Sequence, residues 1–369
     1  MKILFTCGGT GGHIYPAIAI ADKIKRKHPD VEILFVGTES GMEHVLVPAA
    51  GYAVERIAAT GLDRRHLLRN VHTLRNMLRG SAQVRKILDR FQPDRVIGTG
   101  GYVTGPVIRE AAKRGIPTYI HEQNAVPGVA NRMLERYVRK VFISFPDSSR
   151  SFRHPRKLVL TGNPVRKEFI LAGIKDCRAD LGFLPTDFVI LVFGGSLGAQ
   201  VLNRETIRLI PHLNGTEAKL VFVTGRRYYD QVKAELDTAS CQDNVMLLPY
   251  ADHMPQLLHA ADLVISRAGA LALAEITVCG KPSLLVPSPN VTNDHQYHNA
   301  KALSDAGAAI VVKEEELESN ESMLAYSVLK LMHNKEKLNA MSLAAVRLGK
   351  ADAADIIYDN LELDTLRSE

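Results

Sequence analysis

Two apolar runs in this chain lead directly into glycine-rich loops, one at the start of each half. Ile3-Leu4-Phe5-Thr6-Cys7 runs into Gly8-Gly9-Thr10-Gly11-Gly12, and Val189-Ile190-Leu191-Val192-Phe193 runs into Gly194-Gly195-Ser196-Leu197-Gly198-Ala199. A short continuous apolar run suits a strand covered on both faces. Glycines directly after it allow a tight turn into a helix. Further strand patterns follow at Val31–Val36, Val54–Ile57, Arg95–Thr99, Thr118–His121, Lys140–Ser144 and Leu158–Leu160 in the first half. The second half repeats the plan at Leu220–Thr224, Val245–Leu248, Leu263–Ser266, Ser283–Val286 and Ala309–Val312. Helical patterns of roughly 10–20 residues separate most of them, and that alternation means an α/β protein with parallel sheets covered by helices. The expected architecture is two Rossmann-like domains in tandem. The joint falls near Gly162-Asn163-Pro164, giving domains over 1–162 and 163–349. A last helix, about 350–369, is able to pack back onto the first domain.

Composition excludes several classes. At 46% hydrophobic residues the chain is too apolar for disorder. None of its four cysteines lies in a CxxC pair, which argues against a zinc knuckle or a disulfide framework. The uncharged stretch Ile3–Ala21 is broken by five residues of glycine loop and by Pro16, so it is neither a membrane span nor a signal peptide, and a cytoplasmic protein is expected. Charge is unevenly placed: residues 1–165 carry +13 and residues 166–369 carry −7. Such asymmetry suggests a polyanionic partner for the first half. Basic residues are densest from Arg64 to Arg95, where Arg69, Arg75 and Arg79 lie among Leu67, Leu74 and Leu78 at helical spacing. This segment reads as a solvated basic face or as a helix lying on an anionic bilayer. No RNP, helix-turn-helix or zinc-finger pattern supports nucleic acid.

Glycine loops between strand and helix present backbone amides and a positive helix end to an anion. A third loop, Gly98-Thr99-Gly100-Gly101-Tyr102, also follows a strand. Three such loops favour phosphate handling, although no GxxxxGK[ST] sequence is present. His13 ends the first loop and opens a helix, where a general base would be useful; a lone histidine in a loop also serves structure alone. His121-Glu122-Gln123-Asn124 follows another strand, and Glu122 and Gln123 suit a helix-capping loop. Glu275 falls on an otherwise apolar helix pattern, Ala270–Val278, and a buried carboxylate there needs donors such as two ribose hydroxyls. Otherwise it is a partly exposed helix glutamate. Asp294, His295 and His298 suit sugar hydroxyls as well as a metal, and three ligands of fixed geometry are not evident.

Seven segments together resemble the MurG family, the bacterial UDP-N-acetylglucosamine:lipid I N-acetylglucosaminyltransferases of peptidoglycan synthesis. They are GGTGGH (Gly8–His13), GTGGY with TGP (Gly98–Pro106), HEQNAVPGVANR (His121–Arg132), GNPVR (Gly162–Arg166), GGSLGAQ with LN (Gly194–Asn203), SRAGALALAE (Ser266–Glu275) and HQYHNA (His295–Ala300). The resemblance implies a GT-B fold, two Rossmann-like domains facing across a cleft in which reaction occurs. It implies donor binding by the second domain and acceptor and membrane binding by the first. Ser196 and Gly195 would hold the donor diphosphate, Glu275 the ribose and Gln296 the sugar hydroxyls. Ala270 and Leu271 would line the site, Arg166 would reach it, and backbone near Ala251 would meet the uracil. Thr10, Gly11, Gly12 and Asn124 would close over the sugar. Gly9, Gly100, Gly101 and Tyr102 would take the acceptor pyrophosphate. The family's threonine is Ala272 here, which removes one hydroxyl.

The implied partners are UDP-GlcNAc, lipid I and an anionic membrane surface, at the cytoplasmic face of the inner membrane, with no cofactor and no nucleic acid. The expected chemistry is inverting transfer to the MurNAc C4 hydroxyl with His13 as base. The sequence holds no DxD triplet, which suits a metal-independent mechanism. Two other classes remain: a UDP-sugar epimerase of the same fold, and a non-catalytic module using the Arg64–Arg90 segment.

Overall fold

The computed structural model describes residues 1–59, 70–174, 176–195, 198–238 and 244–363. The chain divides into two compact units, Met1–Arg166 with Ala351–Glu369, and Lys167–Lys350. In the first, β1 (Lys2–Cys7), β2 (Glu32–Gly37), β3 (Ala53–Arg56), β4 (Arg95–Gly100), β5 (Thr118–Glu122), β6 (Lys140–Ile143) and β7 (Leu158–Leu160) form one sheet in the order β3-β2-β1-β4-β5-β6-β7. In the second, β8 (Phe188–Phe193), β9 (Ala218–Val223), β10 (Val245–Leu248), β11 (Leu263–Ser266), β12 (Ser283–Leu285) and β13 (Ala309–Val311) follow the order β10-β9-β8-β11-β12-β13. Every pairing is parallel.

The apolar runs are continuous because both faces of each sheet are covered. Successive side chains of a strand point to opposite faces. Ile3 and Phe5 pack with Ile14, Ile18 and Ile24 of helix α1 (Gly11–Lys27), whereas Leu4 packs with Val84 and Leu88 of α3 (Asn70–Phe91) and Val107 of α4 (Thr104–Lys113). Between α1 and α3 lies the short helix α2 (Glu43–Ala49). After β5 comes α5 (Val129–Leu134). The second unit uses α6 (Gln200–Leu209), α7 (Ala270–Val278) and α8 (His295–Asp305) in the corresponding places. Its core joins Ile190, Val192 and Phe222 of the sheet to Leu202, Val328 and Met341.

The last helix, α9 (Ala353–Asp359), belongs to the first unit. Its Ile357 joins the cluster under α1, Asp355 pairs with Lys23, and the Tyr358 hydroxyl lies 2.7 Å from His28 Nε2. Beyond it the Arg95 guanidinium donates to the carbonyls of Leu361 (3.2 Å) and Glu362 (3.1 Å), and the Tyr119 hydroxyl also donates to Leu361.

In each sheet the chain winds outward in one direction from β1 or β8 and then restarts on the other side with β4 or β11. Open parallel sheets bind ligands at such reversals, outside the carboxyl ends of the strands. Two of the glycine loops follow β1 and β8, and the third, Gly98–Tyr102, begins in the last residues of β4.

Candidate active site

In the first unit, adjacent strands β1 and β4 deliver two glycine loops against each other. His13 lies in the first turn of α1, partly exposed, with Nδ1 3.0 Å from the Gly8 carbonyl. A carbonyl only accepts, so Nδ1 carries the proton and the neutral ring keeps its lone pair on Nε2. The backbone carbonyl of His13 accepts from the Thr99 hydroxyl at 2.6 Å. Gly100 and Gly101 have φ of 120° and 88°. A side chain on either would also collide: a Cβ on Gly100 would fall 2.6 Å from His13 Cδ2, and one on Gly101 2.5 Å from the Gly8 oxygen. The absence of side chains there lets the second loop press on the imidazole and on the carbonyl that orients it.

Gly9, Thr10 and Tyr102 are exposed at this edge, while Gly11, Gly12 and Gly101 are half-buried. The Gly9 amide is directed inward, however, and donates to Glu43 Oε2 at 3.2 Å. Of the groups expected to meet a pyrophosphate, that amide is already engaged. Gly100 is buried against His13. Arg166 belongs to this unit too, its guanidinium 4.8 Å over the Tyr15 ring.

A polar network continues behind the histidine. The Gln123 side chain donates to the Thr99 carbonyl at 2.5 Å and to His121 Nδ1 at 3.1 Å. His121 Nε2 donates in turn to the Gly162 carbonyl at 3.1 Å, and Asn163 donates to the Gln123 carbonyl. Burial pushes the His121 pKa down to about 4, only partly opposed by the Gly162 hydrogen bond. His121 is therefore a neutral structural member. Glu122, only 2% exposed, accepts from the Asn124 amide (3.0 Å) and side chain (3.3 Å), the Gly128 amide (3.0 Å) and Asn131 Nδ2 (2.9 Å). It ties Asn124 to the residue that opens α5.

In the second unit Gly195 follows β8 with φ of 88° and is exposed; Ser196 lies outside the described residues. Ala251 follows β10. Ala270 and Leu271 form the first turn of α7, and Glu275 sits one turn on, half-buried rather than buried. Gln296, in the first turn of α8, accepts the Ser288 amide on Oε1 at 2.9 Å, and Asn299 donates to the Ala268 carbonyl. Arg267 is held by the Val286 carbonyl at 3.0 Å and by an ion pair with Glu314. These segments all leave the carboxyl ends of parallel strands, so they share one edge of the second sheet.

Of the basic segment, Leu67 and Arg69 lie outside the described residues, as do the side chains of Leu74 and Arg75. Leu78 is 67% exposed on α3, beside exposed Arg79. No helix among the described residues is long and apolar enough to cross a membrane.

One functional candidate escapes sequence reasoning. Glu43 opens α2 and reads as an ordinary surface glutamate, yet it is fully buried beneath the first glycine loop. Its only sequence signal is the pair of flanking glycines, Gly37 and Gly41.

Two parallel Rossmann-like sheets with glycine loops at their carboxyl edges are the fold called GT-B, which nucleotide-sugar glycosyltransferases use. The glycosyltransferase family 28 N-terminal domain matches residues 3–143, and the family 28 C-terminal domain matches residues 189–357. A relative from Alkaliphilus oremlandii is 41% identical, covering 98% of both chains, and one from Lactobacillus delbrueckii subsp. bulgaricus is 43% identical, covering 96% of both. Each bears the name UDP-N-acetylglucosamine–N-acetylmuramyl-(pentapeptide) pyrophosphoryl-undecaprenol N-acetylglucosamine transferase. The crystal structure of Acinetobacter baumannii MurG superposes with a TM-score of 0.77 at 29% identity, over 98% of this chain and 99% of that one. The UDP-GlcNAc 2-epimerase of Neisseria meningitidis, 18% identical with a TM-score of 0.67 over 98% and 99%, shares the fold. The chain belongs to glycosyltransferase family 28 and, within it, to the MurG family of N-acetylglucosaminyltransferases.

Proposed function

We propose that this chain transfers N-acetylglucosamine from UDP-GlcNAc to the MurNAc C4 hydroxyl of lipid I, with inversion, forming lipid II for peptidoglycan. The observation that carries the chemical reading is the 3.0 Å contact of His13 Nδ1 with the Gly8 carbonyl: a carbonyl only accepts, so Nδ1 holds the proton and Nε2 is the basic nitrogen. The acceptor oxygen attacks the anomeric carbon and gives its proton to Nε2. The bond from that carbon to the diphosphate breaks, and UDP leaves. Direct displacement turns the α-linked donor into a β product.

In this reading the second domain, about 163–349, binds the donor. Glu275 takes the ribose hydroxyls, Gln296 the sugar hydroxyls, and Gly195 and Ser196 the diphosphate, stabilising the charge that grows as UDP departs. The absence of a DxD triplet supports metal-independent catalysis. The first domain, about 1–162 with the last helix, supplies His13, and Thr10, Gly11, Gly12 and Asn124 against the sugar. Gly101 and Tyr102 are left for the acceptor pyrophosphate, with Gly9 and buried Gly100 contributing shape rather than contacts. The acceptor's lipid stays in the bilayer, so the enzyme works as a peripheral protein at the cytoplasmic face of the inner membrane. The +13 of residues 1–165 and exposed Leu78 and Arg79 support that placement.

The test is UDP release from UDP-GlcNAc with and without a lipid I analogue. Release only with acceptor is expected. Acceptor-free conversion of the sugar would instead indicate an epimerase, and absence of donor affinity a binding module.

A further inference from the structure

Glu43 presents an anion packed under the loop that carries the base. Gly37 and Gly41 leave its side chain room, since a Cβ at either would overlap it, and a Cβ at Gly8 would lie 3.2 Å from Oε1. Three glycines thus line the space one carboxylate fills. Oε1 accepts from the Thr38 amide and the Thr38 hydroxyl, both at 2.6 Å, and Oε2 accepts from Gly9 at 3.2 Å. Burial works against the charged form, but the Thr38 hydroxyl and these backbone amides outweigh it and hold the carboxyl below its ordinary value. The carboxylate is therefore ionised wherever the enzyme is folded near neutral pH.

The peptide between Gly8 and Gly9 is the shared part. Its nitrogen end, Gly9 N–H, is held by Glu43, and its carbonyl end, Gly8 C=O, accepts His13 Nδ1–H at 3.0 Å. A peptide unit is planar, so fixing the N–H fixes the direction of the carbonyl. We propose that Glu43 is a positioning residue for His13: by clamping the Gly8–Gly9 peptide from below, it aims the carbonyl that sets the imidazole's tautomer and orientation. This deepens the transferase reading and rests on His13 as base. It also explains why a loop resembling an anion cradle directs one amide inward. That amide serves the base, and external anions meet the loop elsewhere.

Other titratable groups surround the pair. Cys7 is kept as a thiol mainly by burial, with the Glu43 charge adding to the effect. His121 is neutral above about pH 4. His44 is held on the Thr38 carbonyl, and Arg166 lies over Tyr15.

The test is a kinetic cycle on the whole enzyme. Glu43→Gln keeps the shape but leaves only one acceptor oxygen, with an amide that repels a donor. It is expected to lower kcat at least fivefold, leave the KM for UDP-GlcNAc within twofold, and shift the acidic limb of the kcat–pH profile. Thr38→Val, a milder change, should lower kcat about two- to fivefold. In a His13→Ala background, Glu43→Gln should cost nothing further. An unchanged kcat and pH profile in both single variants would overturn the proposal. So would an undiminished Glu43→Gln loss in the His13→Ala background, although the base reading would then stand. A His13→Ala enzyme within fivefold of wild type would overturn the base reading itself, and the proposal with it. Should Glu43→Gln fail to fold, Thr38→Val decides by the same criteria.

Discussion

Glu122→Gln separates a structural clamp from an exposed loop carboxylate. Two donors meet each oxygen: the amide and side chain of Asn124 on Oε1, and Gly128 N–H and Asn131 Nδ2 on Oε2. Glutamine offers one oxygen, so two donors must face an NH2 group. A buried polar group left without its partner costs about 1–3 kcal/mol. Two of them give roughly 2–6 kcal/mol, and relaxation around Gly128, which is exposed, brings the expectation to about 2–4 kcal/mol. In a domain of this size each kcal/mol lowers Tm by roughly 2–4 °C, so the first unit should melt about 5–15 °C lower. Scanning calorimetry of the whole chain, with the second unit's transition as internal reference, measures this. Asn124 loses its two bonds to Glu122 or keeps them according to which way the amide turns, so donor KM should rise only if they are lost. A Tm within about 2 °C of wild type would refute the reasoning, because it would mean that water already serves these donors.

Glu275→Ala should raise donor KM by about 10- to 150-fold, the equivalent of roughly 1.5–3 kcal/mol for hydrogen bonds to a charged group, with kcat little changed; wild-type donor kinetics would end the ribose assignment. Replacing Arg69, Arg75 and Arg79 with Gln should weaken binding to anionic vesicles by about 1 kcal/mol per charge, an effect that salt mimics. Activity on a short water-soluble acceptor should persist, and equal co-sedimentation at low salt would make this helix a solvated face. His121 bears on acid stability. Its folded pKa is about 4 against an ordinary 6.5, so the unfolded chain binds the proton first, and stability falls as pH drops from about 6.5 to 4. The loss should total about 3 kcal/mol and then level off with respect to this group. Denaturant titrations of wild type and His121→Gln check it, since the variant should lack that contribution.

The strands were legible because both faces are covered. Apolar runs such as Phe188–Phe193 need no alternation to be recognised, and Lys2–Cys7 and Phe188–Phe193 each lead straight into glycines. Among the described residues, all thirteen strands fall within two residues of the sequence reading. The order of the strands is not written locally, since it depends on which way each crossover turns. The loops of the candidate site were legible for the same reason as the strands, through their place after an apolar run. What supports the loops was not. Glu43 carries no periodicity that separates it from a solvent-facing glutamate, and its side chain fits because Gly8, Gly37 and Gly41 leave it room. Glu122 and Gln123 read as capping residues. Glu122 does hold the start of α5, but Gln123 instead links Thr99 to His121. Glu275 shows the opposite limit: an apolar helix pattern suggested burial, while the structure leaves the residue half-buried at the sheet edge.

The return of α9 to the first unit bears on biosynthesis. Ile357, Leu361 and Leu363 complete the cluster beneath α1, and the Leu361 and Glu362 carbonyls cap Arg95. A chain emerging from the ribosome makes residues 1–166 first, but their core lacks these side chains until the entire second unit has been translated. At about 5–20 residues per second that wait lasts roughly 10–40 seconds. Throughout it, the first unit holds an open apolar groove along α1, and the second unit, continuous in sequence, is the one free to finish folding. A released chain ending at Lys350 should therefore carry a protease-resistant second unit and a sensitive first one, the reverse of the order in which they were made.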